Sequence, residues 1–184
     1  RVTIVPPAML HTLPWGVMPG LADRVIGVSP SARHWLGARV RAARPAGPVV
    51  FVGGPGLSTD EQEVTAQARR YAAARTLTGD RARVADAATA LDGAALAHLA
   101  AHGDFRADAP MFSSVWLADG PLYLHDLDRL ERPPHTVILS ACDAGDARAV
   151  GTDEGLGLVT GLLGLGVVSV LAPSLPVHDT TTLQ

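Results

Sequence analysis

The sequence has no lysine and no asparagine, few aromatic side chains and a single cysteine. All 15 basic residues are therefore arginines, and the 18 acidic residues outnumber them, so that the formal net charge is −3. Proteins that hold nucleic acid through a basic face need an excess of positive charge, which this composition does not supply. We therefore expect no direct nucleic-acid partner.

The single cysteine, Cys142, excludes a disulfide within the chain. A lone thiol fits a reducing compartment, and the first residues do not resemble a signal peptide, so we expect a cytoplasmic location. The chain begins directly in an apolar run and stops without a closing signal. We interpret it as an excerpt of a longer protein.

Charged residues are also scarce, at 18%, whereas hydrophobic residues make up 47% of the chain. This balance excludes an intrinsically disordered protein. A length of 184 residues is enough for one domain with a substantial core. We predict a single domain over 1–184, within which 1–45 is a less regular N-terminal part.

A long uncharged segment, Gly155–Val177, is the only stretch that raises the question of a membrane span. It is interrupted by several glycines and prolines, and it changes from leucine-rich to valine-rich at Gly166. We interpret it as a buried helix, a glycine turn and a buried strand, and we expect no membrane contact.

Short apolar runs alternate along the chain with helical patterns, which predicts an α/β fold with a mostly parallel central sheet covered on both faces. One hairpin is expected over Asp119-Gly120. The predicted strands are Val49–Val52, Arg75–Thr78, Leu96–Ala101, Val115–Leu117, Leu122–Leu124 and Thr136–Leu139, and the predicted helices run from Glu61 to Tyr71 and from Val84 to Leu91.

Two of these strands end on reactive side chains, the first on His102 and the later one on Cys142. If the strands are parallel neighbours, both side chains lie at the same sheet edge, where an imidazole can assist a thiol in nucleophilic catalysis. Gly103 and Gly145 would let a substrate backbone approach closely. The alternative from position alone is a buried core cysteine and a strand-end histidine that binds a carbonyl.

Metal and phosphate sites are not indicated. His98 and His102 are four residues apart, but in a strand that spacing covers about 13 Å, too far for one metal ion. His98 is therefore interpreted as a structural core histidine. Gly53-Gly54-Pro55-Gly56 lacks the Gly-Lys-Ser/Thr that completes a P-loop. We predict no cofactor.

The pairing of a strand ending in His102-Gly103 with a later strand ending in Ser140-Ala141-Cys142 resembles the caspase-like cysteine peptidases, in particular the bacterial CHAT domain, which is related to separase. The resemblance implies a three-layer α/β/α caspase-like fold. It also implies that Cys142 is the nucleophile, His102 the general base or proton donor, and the N–H groups of Gly103 and Cys142 the oxyanion hole. Further matches are Leu117-Ala118-Asp119-Gly120, Gly151-Thr152-Asp153-Glu154 and Leu13-Pro14-Trp15.

The resemblance further implies a cysteine endopeptidase that acts on a protein or peptide and is regulated by an attached domain, such as tetratricopeptide repeats. Ser140 and Asp143 are candidate substrate-binding residues. Ser140 stands where the related metacaspases carry an acidic residue, which argues against a basic P1 preference by that route, and Asp143 either lines the pocket or is solvated. Two alternatives are a catalytically silent scaffold domain and a small-molecule-binding α/β domain.

Overall fold

The structure, a computed structural model, describes residues 1–7, 10–11, 13–41, 46–55, 60–106, 108–140 and 152–173. Within these ranges no helix has the length and hydropathy needed to cross a bilayer. The chain divides into two compact units, Arg1–Arg44 and Pro45–Gln184.

The first unit contains a small parallel sheet and one helix. Strand β1 (Val2–Ile4) pairs with β2 (Ile26–Val28), and helix α1 (Ala32–Arg41) follows. Ser31 begins the helix, because its hydroxyl accepts a hydrogen bond of 3.0 Å from the N–H of His34.

The second unit is built on a five-stranded parallel sheet in the order β10-β9-β5-β3-β4. Its strands are β3 (Val49–Gly53), β4 (Arg75–Leu77), β5 (Leu96–Ala100), β9 (Thr136–Leu139) and β10 (Ser169–Leu171). A separate antiparallel sheet joins β6 (Gly103–Asp104), β7 (Ser114–Leu117) and β8 (Gly120–Tyr123). The helices are α2 (Asp60–Ala68), α3 (Val84–Leu91), α4 (Leu124–Leu127) and α5 (Thr152–Gly164).

Both faces of the parallel sheet are covered, because the strands direct alternate residues to opposite sides. On one face, side chains of β3, β5 and β9 pack with α3, α4 and α5 in the main core. On the other, Phe51 and Ala100 pack with Val64 and Ala68 of α2. The prediction of a three-layer α/β fold with a parallel central sheet is confirmed.

The predicted hairpin is also present, and its turn supports the neighbouring helix. Gly120 has a φ of +139°, a conformation that favours glycine. Asp119 in the same turn accepts a hydrogen bond of 2.8 Å from the N–H of Val84 and lies 3.5 Å from Arg83. That backbone hydrogen bond is the main reason that the pKa of Asp119 is lowered.

The uncharged segment near the end of the chain forms the expected helix, turn and strand, but the strand is not buried. Gly166 has a φ of +103° in the turn between α5 and β10. Among the described strands β10 pairs with β9 alone, and Leu171 is 52% exposed. The prediction of a buried strand is wrong, because an edge position leaves one side of β10 without the neighbour that burial requires. The predicted helix through Tyr71 is also shorter, ending at Ala68.

Candidate active site

The strands that lead to His102 and to Cys142 are direct neighbours in the parallel sheet. β5 pairs with β9 from Leu96↔Thr136 to Leu99↔Leu139, so that the offset in residue number is the same at every paired position. The N–H of Ser140 donates a hydrogen bond of 2.9 Å to the carbonyl of Leu99, which extends the contact beyond the last strand residue. The condition on which the sequence prediction depended is therefore met.

His102 lies just after the carboxyl end of β5 and is held there by its backbone. Its carbonyl accepts a hydrogen bond of 2.8 Å from the N–H of Trp116, at the start of the pairing between β6 and β7. The residue is partly buried, and its Nδ1 is a buried atom for which the described part of the chain offers no hydrogen-bond partner. Leaving a buried polar atom unpaired costs about 1–3 kcal/mol, so a group that forms a hydrogen bond with this nitrogen would lower the free energy of the site.

Two glycines leave room for close contacts near His102: Gly54 with the backbone of β7, and Gly103 with an aromatic ring. A Cβ on Gly54 would collide with the carbonyl oxygen of Trp116 and would lie 2.6 Å from the Cβ of Ala101. A Cβ on Gly103 would overlap the ring of Phe105, which packs against the main core. At position 54, where the end of β3 meets β7 and the end of β5, there is therefore no room for a residue larger than glycine.

A buried polar pair connects the same two strands on the α2 side of the sheet. Nε2 of His98 lies 2.8 Å from Oγ of Ser140, and the ring of His98 meets that of Phe51 edge-on, with centroids 5.6 Å apart. His98 is 3% exposed, and burial lowers the pKa of its imidazole because the charged form loses hydration. The neutral ring is therefore favoured at this position.

The segment after β6 carries opposite charges at the surface. Arg106 donates to Asp108 at 3.1 Å, and this hydrogen bond is the main reason that the pKa of Asp108 is lowered and that of Arg106 raised. Asp104 is exposed two residues after His102. Across the described residues, no group of three histidine, cysteine or acidic side chains is arranged to hold a metal ion.

A comparison with protein-family models matches the CHAT domain over residues 1–184, the whole chain. The chain belongs to the CHAT domain family. The resemblance drawn from the His-Gly and Ser-Ala-Cys motifs is thereby confirmed, and the family is caspase-like. A search among curated proteins found no match.

The structure of this CHAT domain describes three of the predicted site residues. His102, Gly103 and Ser140 lie at the ends of β5 and β9 and in β6, close to the carboxyl edge of the sheet. Cys142 and Asp143 lie outside the described residues. The roles assigned to all five remain predictions.

Sequence reasoning treated His98 and Ser140 separately, as a core histidine and a substrate contact, and missed that they contact each other. The contact follows from the register, which the sequence does not reveal: pairing of His98 with Ile138 places Ser140 diagonally across from His98, on the same face. Trp116 was missed as well. Its place beside His102 depends on the antiparallel pairing of β6 with β7, which short strands do not reveal in a sequence.

Proposed function

We propose that this CHAT domain is a cysteine endopeptidase in which Cys142 is the nucleophile and His102 the general base and acid. The observation that carries the proposal is the register of β5 with β9, in which Leu99 pairs with Leu139. His102 and Cys142 each lie three positions after one member of that pair. If the same register continues beyond the strands, the thiol and the imidazole face each other.

The Nδ1 of His102, which has no hydrogen-bond partner among the described residues, supports the role of proton acceptor. A general base needs a lone pair that no other group occupies, within reach of the thiol proton. A buried nitrogen that no described residue bonds is consistent with the first requirement, and the strand register supports the second. Transfer of the Cys142 proton to this nitrogen leaves a thiolate, the reactive form of cysteine.

The position of Gly103 supports an oxyanion site. Hydrogen-bonded and non-hydrogen-bonded residues alternate along an antiparallel pair. The carbonyl of His102 accepts a hydrogen bond from β7, so the N–H of Gly103 points away from β7. It points towards the open edge of this three-stranded sheet, where β6 lies. An N–H in that direction can stabilise negative charge on a substrate oxygen, together with the N–H of Cys142.

The reaction then follows in two steps, formation of a thioester and its hydrolysis. The thiolate attacks the peptide carbonyl, the C–N bond breaks, and the imidazolium of His102 gives its proton to the leaving amine, so that a thioester and a free amine remain. Water, deprotonated by His102, attacks the thioester. The acid product leaves, and the proton returns to the sulfur of Cys142.

The test measures alkylation of the thiol by iodoacetamide between pH 5 and 9. Cys142 is the only cysteine, so the signal has one source. We expect a thiolate that forms well below the free value of about 8.5, and an ordinary value in His102→Ala. His125→Ala is the matched control, because the Nδ1 of His125 is also buried without a partner among the described residues, on α4.

Cleavage of a fluorogenic peptide library completes the test. Wild type should release product, and Cys142→Ala and His102→Ala should not. A thiol that reacts identically in wild type and His102→Ala, with no cleavage, would contradict the proposal and favour a catalytically silent scaffold.

We also propose that an attached domain, such as tetratricopeptide repeats, regulates this site. The measurement compares the alkylation rate of Cys142 in the 184-residue chain with that in a longer protein that contains it. Regulation predicts different rates, and equal rates with and without the neighbouring domain would contradict it.

A further inference from the structure

The hairpin strand β7 presents one large aromatic side chain to solvent directly beside His102. Along β7, Ser114, Val115 and Leu117 are buried, whereas Trp116 is 47% exposed. A tryptophan that remains half exposed beside a strand end leaves apolar surface in water that a ligand could cover.

The pairing pattern indicates on which side this ring lies. β6 and β7 pair as Gly103↔Val115 and Asp104↔Ser114, and the bond from the N–H of Trp116 to the carbonyl of His102 continues the same register. Residues opposite each other in an antiparallel pair have their side chains on one face, with Cβ atoms about 5 Å apart. The indole and the imidazole therefore share a face, while Val115 points into the core.

The opposite neighbour of Trp116 extends the apolar surface. Pro121 of β8 pairs with Trp116 in the register of the hairpin, so its ring lies on the same face. Asp104, two residues after His102 on this face, is exposed and carries a negative charge. Arg106, also exposed, lies close enough to Asp104 for the two charges to attract each other. The surface is thus apolar at Trp116 and Pro121, with charges of both signs at its border.

The backbone of Trp116 is also fixed. Its carbonyl packs against Gly54 at the end of β3, where a Cβ would collide with it, and its N–H is bonded to His102. A fixed backbone leaves only the two side-chain torsions of the ring to be ordered when a ligand covers it.

We propose that Trp116 and Pro121 form a substrate subsite that takes a large apolar side chain of the peptide, within two residues of the bond that is cut. An extended peptide advances about 3.3 Å per residue, so a side chain one or two positions from the scissile bond reaches a ring that lies beside His102. The apolar rings disfavour a charged side chain such as that of Asp at that position, because the charge would lose hydration. This inference rests on the proposed peptidase activity for the identity of the ligand.

The test uses Trp116 as its own reporter in a protein that binds but does not cut. The chain has three tryptophans, so Cys142→Ala combined with Trp15→Phe and Trp35→Phe leaves Trp116 as the only indole. The probes are short peptide amides of alanine and serine. At each position in turn, one residue is replaced by Phe, Leu, Ala or Asp.

We expect Phe and Leu peptides to shift the Trp116 emission to shorter wavelength and to bind about tenfold more tightly than the Ala peptides, with Asp weakest. In Cys142→Ala with Trp15 and Trp35 retained, Trp116→Ala should remove the preference for Phe in a calorimetric titration. Phe112→Ala is the matched control, because Phe112 is an aromatic residue 58% exposed on another segment, and it should keep the preference.

Three results of the peptide titrations would overturn the subsite: no peptide binding, equal affinity for Phe, Ala and Asp peptides, or a preference that persists in both Trp116→Ala and Trp116→Ser. A blue shift that depends on protein concentration without peptide would instead assign the ring to self-association and also overturn it. Failure of the peptidase proposal gives a different result. Cys142→Ala then still binds Phe peptides selectively, but the protein with Cys142 intact cleaves no peptide.

Discussion

His98 of β5 and Ser140, just after β9, are joined by a partly buried hydrogen bond of 2.8 Å between Nε2 and Oγ. The two residues are far apart in the sequence, yet His98 precedes His102 by four residues and Ser140 precedes Cys142 by two. A bond between neighbouring strands fixes their relative position along the strand direction. We infer that this pair holds the ends of β5 and β9 in register.

Ser140→Ala should destabilise the protein by about 1–3 kcal/mol, because it removes a hydrogen-bond partner from a buried imidazole. The free energy of unfolding is measured by urea titration. Ser169→Ala is the control, since Ser169 is exposed on β10, and it should change stability by no more than about 0.5 kcal/mol.

The same variant distinguishes this structural role from the substrate contact that the sequence predicts for Ser140. A structural role lowers stability and leaves the KM for cleaved peptides unchanged. A higher KM at unchanged stability would contradict the structural role and favour a contact with substrate.

Acid should destabilise the fold through His98. Burial lowers its pKa in the folded protein below the ordinary value of about 6.5 that applies to the unfolded chain, so the unfolded chain binds the proton first as the pH falls. The contribution of the neutral ring is fully present above about pH 6.5 and is lost as the pH falls below it. The measurement is the urea midpoint between pH 8 and 5.5.

His98→Gln provides the comparison, because glutamine retains hydrogen-bonding groups and does not titrate in this range. Its urea midpoint should depend less on pH than that of wild type. Because burial is the cause of the shift, the difference should persist in 0.5 M salt. Identical pH profiles for wild type and His98→Gln would contradict the assignment.

The sequence was sufficient to predict the strands that matter most for the site. β3, β5 and β9 are continuous apolar runs that end at glycine or polar residues, and local composition alone marks such buried strands. The sequence was not sufficient to predict whether a strand at the sheet edge is buried. Val170 and Leu171 are as apolar as the central strands, but exposure depends on which strand comes next to them in space.

Contacts between residues on neighbouring strands could not be predicted from the sequence either. The link between His98 and Ser140, and the place of Trp116 beside His102, both depend on register, which is fixed by packing over the whole sheet. Motif reasoning selects residues that carry reactive groups. It passes over a tryptophan whose importance comes from its neighbours.

Two glycines of α5 should respond in opposite directions to alanine. A Cβ on Gly161 would overlap Cδ2 of Leu124, a buried side chain of α4 that must shift to make room, so Gly161→Ala should destabilise by about 1–3 kcal/mol. Gly164 has open space around its Cβ position, and Gly164→Ala should stabilise the helix by up to about 1 kcal/mol. Thermal unfolding of both variants tests this, and a loss of stability in Gly164→Ala would contradict the open environment.

Gly54→Ala tests whether the close approach of β3 to the hairpin holds the backbone beside His102. The added Cβ would collide with the carbonyl of Trp116 and lie 2.6 Å from the Cβ of Ala101, and because the first of these is backbone, the hairpin itself must shift. We expect the hydrogen bond from the N–H of Trp116 to the carbonyl of His102 to weaken, so that this amide exchanges its hydrogen with solvent about tenfold faster or more. Gly164→Ala, in which the added methyl group meets nothing, should leave that exchange rate unchanged or slower. Unaltered protection of the Trp116 amide in Gly54→Ala would show that the hairpin is held to His102 without help from the end of β3.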